Sequence, residues 1–390
     1  MGSSSARSTT RQLRLRFFDL DAIIRSDSNA YISLFARMYR RFRASDSPDQ
    51  GQPPAEFVVL THPDNPWGHP VMILDGEVCV LNDPDLLEGY TYDGVLNAIV
   101  GAIRSHFLIH AGVVSSNGQG IILAADSGHG KTTLALELVR RGCKFLSDEM
   151  AALGRADGWI YPFPRSLRVR PGTLEMTGFP EPATGAPEWL GKLLLDIDEI
   201  QPGSLGEAVS LTHVVILQDP SVAPERTPDG AEREMGVLVD RLDERLLVAV
   251  GQIEGVTAVW PDVERGYPTL RLRAAHRMSV LSQVETLCQE QEVLVLDISK
   301  RAETHPTFET PARLKAMSTS QAAVELLRRF QGGHKSALLQ EEFGGSSTRL
   351  FLELATLVSR AQCYRLSVGP LNEMADLICD LYAKEVQEDR

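Results

Sequence analysis

Only five cysteines occur in 390 residues, at positions 79, 143, 288, 363 and 379, and no two form a C-x2-C pair. That spacing excludes a compact zinc cluster, and the odd count argues against a complete disulfide framework. The expectation is a reducing, cytoplasmic setting. Positive charge is also scarce: 39 Lys and Arg against 52 Asp and Glu leave a net charge of -13. A fold gripping nucleic acid over a broad surface is therefore disfavoured. Apolar runs such as FVVL and AIVGAI are short or interrupted, far below the ~20 residues of a membrane span. The opening MGSSSARSTTRQLRLR has no apolar segment of signal-peptide type, and residues 1–10 are set aside. Aromatics make up only 6% of the chain, but the hydrophobic class reaches 43%. A large core is affordable on that composition, which excludes a disordered chain or a small disulfide scaffold.

The pattern divides into an N-terminal α+β accessory domain, 11–100, and a larger α/β domain, 101–385. In the first, a strand from Leu13 to Leu20 precedes a helix from Asn29 to Phe42. Arg37, Arg40, Arg41 and Arg43 give that helix a basic surface, read as a solvated face or as a dock for a peptide or other acidic partner. After a loop at 44–55, strands are expected at Glu56–Leu60, Pro70–Leu74 and Glu77–Leu81, the last two joined across Asp75-Gly76. A helix is expected at Val95–His106.

Beyond His110, the glycine-rich AGVVSSNGQG leads into the strand IILA, then a loop and the helix KTTLALELVRR, with KFLS as the next strand. Residues 178–206 read as an inserted loop with a short helix. Further strands are expected at Val214–Leu217, Leu246–Val250, Thr257–Trp260 and Val293–Leu296, with a surface excursion at 220–234. Helices at Gln321–Phe330 and Leu350–Ser359, the strand YRLSV and a helix from Leu371 complete the chain.

The densest signal is ILAADSGHGKTTLALEL, a strand, a loop and an apolar-periodic helix. Loop amides and the positive helix end can cradle phosphates. Ser127, Gly128, His129, Gly130, Lys131, Thr132 and Thr133 form the candidate ATP site. Lys131 would reach the β and γ phosphates, and Thr132 would place its hydroxyl on Mg²⁺. The full G-x-x-x-x-G-K-[ST] spacing puts glycine at 125, where this chain has Ala125. Alanine is tolerated there if the position needs no positive φ.

Asp148 follows KFLS, and a crossover through the helix would return it to the same sheet edge as the loop. There it could accept a proton from an attacking hydroxyl or hold Mg²⁺, with Glu149 as a second metal candidate. His110 could orient Asp148 by a hydrogen bond, or touch phosphate when protonated. In YPFPRSLRVRPG, alternation puts Arg168 and Arg170 opposite Leu167 and Val169. Arg165, Arg168 or Arg170 could neutralise the transferred phosphoryl group, or guard an exposed strand edge. Arg271 and Arg273 in TLRLR repeat the spacing, and there the edge-guarding reading is preferred.

The segments HAGVV at 110–114, DSGHGKTT at 126–133, RRG at 140–142 and LSDE at 146–149 resemble the HPr kinase/phosphorylase family. The resemblance is dense over 104–170. It implies an α/β P-loop kinase core of HPr kinase / phosphoenolpyruvate carboxykinase-like type. His110 looks like the family's histidine before the loop, Lys131 and Thr132 like its phosphate-loop pair, and Asp148 like the first of its paired aspartates, with Glu149 replacing the second. The implied function is ATP- and Mg²⁺-dependent transfer to a serine or threonine of a peptide or protein, with Asp148, His110 and Lys131 as catalytic candidates, to which the alternation of LRVR adds Arg168. Ribosomally made natural-product precursors are among the acceptors such domains serve. No nucleic-acid or membrane partner is expected, and a homo-oligomer is compatible. A small-molecule hydroxyl kinase and a non-catalytic nucleotide-binding regulator remain as alternatives.

Overall fold

Leu13, Leu15 and Phe17 are buried and alternate with Arg14 and Arg16, so a period of two sets one face of the first strand into the core. The computed structural model describes residues 10–388 apart from 45–52, 63, 75, 81–86, 127, 171, 181–185, 190–191, 219–231, 265–266, 276, 294, 300–307 and 333–335. Most of the 44–55 loop, Asp75 of the expected turn, most of the 220–234 excursion, and Ser127 lie outside the described residues.

Strand β1 (Arg11–Phe17) turns through Phe18, at φ 54°, into β2 (Leu20–Ser26). The expected single strand to Leu20 is therefore a hairpin. Ala22, Ile23 and Ile24 are buried in succession, so β2 lacks the alternation that reveals a strand. Helix α1 (Asn29–Met38) starts where the Ser28 hydroxyl accepts from the Tyr31 amide, and it buries Tyr31, Phe35 and Met38. Strands β3 (Ala55–Leu60), β4 (Val71–Leu74) and β5 (Glu77–Val80) complete a five-stranded sheet in the order β1-β2-β3-β4-β5. Helix α2 spans Leu87–Ala102 rather than Val95–His106, and His106 instead opens a strand. The core beneath this sheet includes Phe17, Phe35, Tyr39 and Tyr92, but also Phe163 and Trp189 from the larger region.

The larger sheet begins with β6 (His106–Ile109), β7 (Ala111–Ser116) and β8 (Gln119–Ala124). AGVVSS is thus a full strand, hairpinned to β8 through Asn117-Gly118, both at positive φ. Helix α3 (Lys131–Arg140) leads to β9 (Lys144–Ser147), and β10 (Ala151–Gly154) and β11 (Trp159–Tyr161) extend the sheet. A separate three-stranded sheet, order β12-β14-β13, comprises β12 (Leu167–Val169), β13 (Glu188–Trp189) and β14 (Lys192–Leu195), with the short helix α4 (Thr173–Met176) inside it in sequence and α5 (Ile197–Ile200) after it. The inserted region at 178–206 therefore carries a strand pair as well as a helix.

Asp196 caps α5 and joins the two regions: Arg40 reaches its carboxylate at 2.6 Å and Arg41 at 2.7 Å, while Arg37 donates to the Leu194 carbonyl at 2.9 Å. The basic face of α1 and the turn after it thus meets an acidic partner inside its own chain.

Strand β15 (Val209–Gln218) lies parallel to β8. Next come β16 (Arg233–Val239), α6 (Glu244–Gly251), β17 (Val256–Glu264), β18 (Tyr267–Ala274), α7 (Arg277–Glu290) and β19 (Val295–Ser299). All neighbours in the β17-β18-β16-β19 sheet are antiparallel, the split βαβ arrangement of ferredoxin-like units. Among the described residues its core draws on 235–298 alone. The expected strand Leu246–Val250 is α6: the Asp243 carboxylate accepts from the Leu246 amide, and Leu246 and Val250 face inward four residues apart. Arg271 guards no exposed edge, for it is buried and paired with Asp262 at 2.9 Å and Glu264 at 2.6 Å.

Strand β20 (Leu314–Ala316) and helices α8 (Thr319–Leu327) and α9 (Ser347–Val358) precede β21 (Gln362–Ser367), which runs parallel to β15, and α10 (Leu371–Glu388). Val114, Ile121, Leu123 and Val215 face α3 and α10, whereas Val113, Ile122, Val214 and Ile216 face α8 and α9. The strand period of two therefore makes an α/β/α sandwich. Among the described residues no helix is long and apolar enough to cross a membrane.

Candidate active site

Strands β8 and β9 both run antiparallel to β7, which lies between them, so their carboxyl ends share one sheet edge. The loop 125–130 leaves β8 there, and Asp148 leaves β9. Gly128 and Gly130 adopt φ 85° and 78°, conformations an L side chain rarely takes. Ala125 is not among the residues at positive φ, and its buried methyl joins the core beneath α3. The departure from the loop pattern is accommodated by the backbone it sits on. Gly130 precedes α3 directly, and the Leu134 amide closes onto its carbonyl at 2.8 Å. The amides of Lys131, Thr132 and Thr133 belong to the first turn, where no preceding helical carbonyl is available. His129 is buried, and Thr132 and Thr133 are half-buried.

Lys131 is itself buried, its stem passing beside Gly112, where a methyl would stand 3.4 Å from its Cγ. Burial drives its ammonium down to about 8, with Asp148 opposing the shift and Arg329 adding to it. Its Nζ lies 2.8 Å from His110 Nε2. Burial and the neighbouring Lys131 charge bring His110 down to about 3, so the ring is neutral near pH 7 and Nε2 accepts from the ammonium. Two expectations for His110 are corrected here. The ring holds Lys131 rather than Asp148, and at neutral pH it has no positive charge to offer phosphate.

Asp148 is buried, and its Oδ1 has no hydrogen-bond partner among the described residues. Ser147 shapes the turn that presents it, its hydroxyl accepting from the amides of Glu149 at 3.3 Å and Met150 at 2.9 Å. The carboxylate of Glu149 is taken by Arg165 and by Arg168, the latter at 3.2 Å. Arg168 alternates outward from Leu167 and Val169 as expected, but its guanidinium meets Glu149 and lies 5.5 Å from the centroid of the Trp189 ring. Of the two acidic candidates, Asp148 is the one with an unengaged oxygen. Among the described residues no three His, Cys, Asp or Glu side chains gather as a metal-binding group.

Arg329 was not legible as a site residue. Its carbonyl accepts from the His110 amide at 2.8 Å, and its guanidinium reaches Asp126 of the loop at 2.7 Å and Glu325 at 2.8 Å. In the sequence it reads as the partner of Glu325 four residues earlier on a helix, and nothing local ties it to a loop two hundred residues away.

No family model matches the chain. Over 70 residues it is 34% identical to the HPr kinase/phosphorylase of Clostridium beijerinckii and 33% identical to that of Clostridium botulinum, covering 18% of this chain and 22% of each relative. The chain thus spans about a fifth of the length of the curated relatives it matches. The solved HPr(Ser) kinase/phosphatase of Coxiella burnetii aligns over 47% of this chain and 95% of its own, at 14% identity and a TM-score of 0.21. The homology to HPr kinase/phosphorylase is weak and partial, and the fold is mixed α/β.

Proposed function

We propose that the protein is an ATP- and Mg²⁺-dependent kinase that phosphorylates a serine or threonine hydroxyl of a peptide or protein, a ribosomally made precursor being one candidate. The observation that carries this reading is the buried, partly unengaged carboxylate of Asp148 at the sheet edge that also holds Lys131 and the glycine loop. The partial homology to HPr kinase/phosphorylase supports a nucleotide-dependent phosphotransferase in general.

In this reading, the loop amides and the first turn of α3 hold the phosphates, and the Lys131 ammonium, steadied by His110, offsets charge on the β and γ groups. Asp148 accepts the proton of the acceptor hydroxyl as its oxygen attacks the γ phosphorus, the bond to the β,γ-bridging oxygen breaks, and ADP leaves. Asp148 Oδ1 and the Thr132 hydroxyl suit Mg²⁺, which favours one or two protein oxygens together with substrate phosphates. When bound, the ion would neutralise phosphate charge. Arg168 acts through Glu149, as a positioning residue for the turn after β9.

Asp148→Asn is the test, because it keeps size while removing the proton acceptor. Single-turnover transfer should fall ~10²–10⁴-fold while MgATP affinity changes little. Wild-type transfer at saturating MgATP would remove Asp148 as the base. A loss of affinity restored by added Mg²⁺ would leave it only a metal role.

A further inference from the structure

The three-stranded sheet beside Asp148 carries more positive charge than its own acids match. Arg168 of β12 stands opposite Leu194 of β14, so Lys192, two residues before Leu194, shares its face, and Arg170 directly follows the end of β12. Leu167, Val169 and Leu195 point the other way, into a core with α3. Arg165 and Arg168 converge on Glu149, the neighbour of Asp148, while Lys192 shares the face of Arg168 and Arg170 follows it in the chain.

Their pairing is incomplete. Glu149 serves both Arg165 and Arg168, and the Nε of each arginine is buried without an acceptor. Among the described residues the side chains of Lys192 and Arg170 make no hydrogen bond or ion pair. Burial, then Arg168, Arg170 and Arg165, bring the Lys192 ammonium down to about 8, with Asp148 opposing. A half-buried cation among three others is unfavourable unless an anion arrives.

Contacts on the two sides of Asp148 place that anion: the loop side is tied by Lys131 to His110 and by Asp126 to Arg329, whereas Glu149, the residue after Asp148, is held from the other side by Arg165 and Arg168. The nucleotide loop and the cationic sheet therefore flank Asp148 from different elements. A base between donor and acceptor leaves the sheet for the acceptor.

We propose that Lys192 and Arg170 form a carboxylate-binding subsite for the acceptor, selecting hydroxyls that have an aspartate or glutamate close by in the acceptor chain. This rests on the kinase reading above and extends it to substrate choice.

The test uses the full-length protein with two fluorescent octapeptides that differ only in having Asp or Asn on both sides of a central serine. Wild type at saturating ATP should bind the Asp peptide at least ~10-fold more tightly, a difference of ~1.4 kcal/mol. Lys192→Met should abolish the preference and Arg170→Gln reduce it, both with unchanged ATP affinity. Arg170 is exposed, so its variant keeps the test open if Lys192→Met fails to fold. Equal binding of the two peptides, or a preference that survives both substitutions, overturns the subsite. A loss of ATP affinity in Lys192→Met also overturns it, because the sheet would then hold nucleotide phosphate. Failure of the kinase reading is separately visible: no transfer from ATP to either peptide or to any other hydroxyl acceptor, with the Asp preference intact, would leave a nucleotide-linked binder of acidic peptides.

Discussion

Replacing Lys131 with methionine should make the protein more stable while destroying the proposed nucleotide site. The ordinary lysine value of 10.5 falls to about 8 on folding, so between those values the unfolded chain binds more protons than the folded one. Stability therefore rises as pH climbs through this window, and below pH 8 the full penalty of burying the charge is felt. At 1.36 kcal/mol per pH unit, the interval from 10.5 to about 8 corresponds to about 3 kcal/mol. Methionine keeps most of the stem beside Gly112 but leaves His110 Nε2 without its donor, which costs about 1 kcal/mol. The expected net gain is about 2 kcal/mol at pH 7, read from urea unfolding without nucleotide. The advantage of Lys131→Met should shrink as both proteins are taken from pH 7.5 to 10. Adding ATP should reverse the order, stabilising wild type with the logarithm of ligand concentration once ATP exceeds its Kd and leaving the variant unmoved. A variant less stable than wild type at pH 7, by an amount independent of pH, would refute the reasoning, as would retained ATP affinity.

Ala125→Gly should leave ATP affinity within about twofold by calorimetric titration, since the residue is not at positive φ, and should lower stability by about 1 kcal/mol through chain entropy and the lost buried methyl. A large gain in affinity would mean the methyl strains the loop. Asp196→Ala removes the cap of α5 and the carboxylate shared by Arg40 and Arg41, so urea unfolding should register a loss of about 2 kcal/mol. A loss below about 0.5 kcal/mol would show that this joint between the two regions is not energetically important.

The glycine loop before α3 was legible because three local signals coincide around it: an apolar strand, glycines where the backbone turns left-handed, and an apolar-periodic helix. Asp148 was placed at the right edge by the crossover argument alone, although β7, an antiparallel strand absent from that argument, lies between β8 and β9. His110 and Glu149 were found as residues but not in their contacts. Their partners, Lys131 for the one and Arg165 with Arg168 for the other, depend on how β7 and β12 approach the edge. Leu246–Val250 went astray for another reason: five apolar residues fit a strand as readily as a helix, and the Asp243 cap, visible in the sequence, was the signal to weigh. Arg329 and Lys192 matter through neighbours far away in the chain, and no local pattern marks either.

The split βαβ unit starts on β16 and ends on β19, and these strands are paired, with Gly236 beside Ser299. Its doorway is therefore narrow: the chain enters and leaves through adjacent points. The larger sheet closes around the same gap by pairing β15 with β21. A guest with neighbouring ends can be gained, lost or exchanged without re-threading its host. In this protein the sheet edge bearing Lys131 and Asp148 belongs wholly to the host, so a change of guest would leave the proposed site in place.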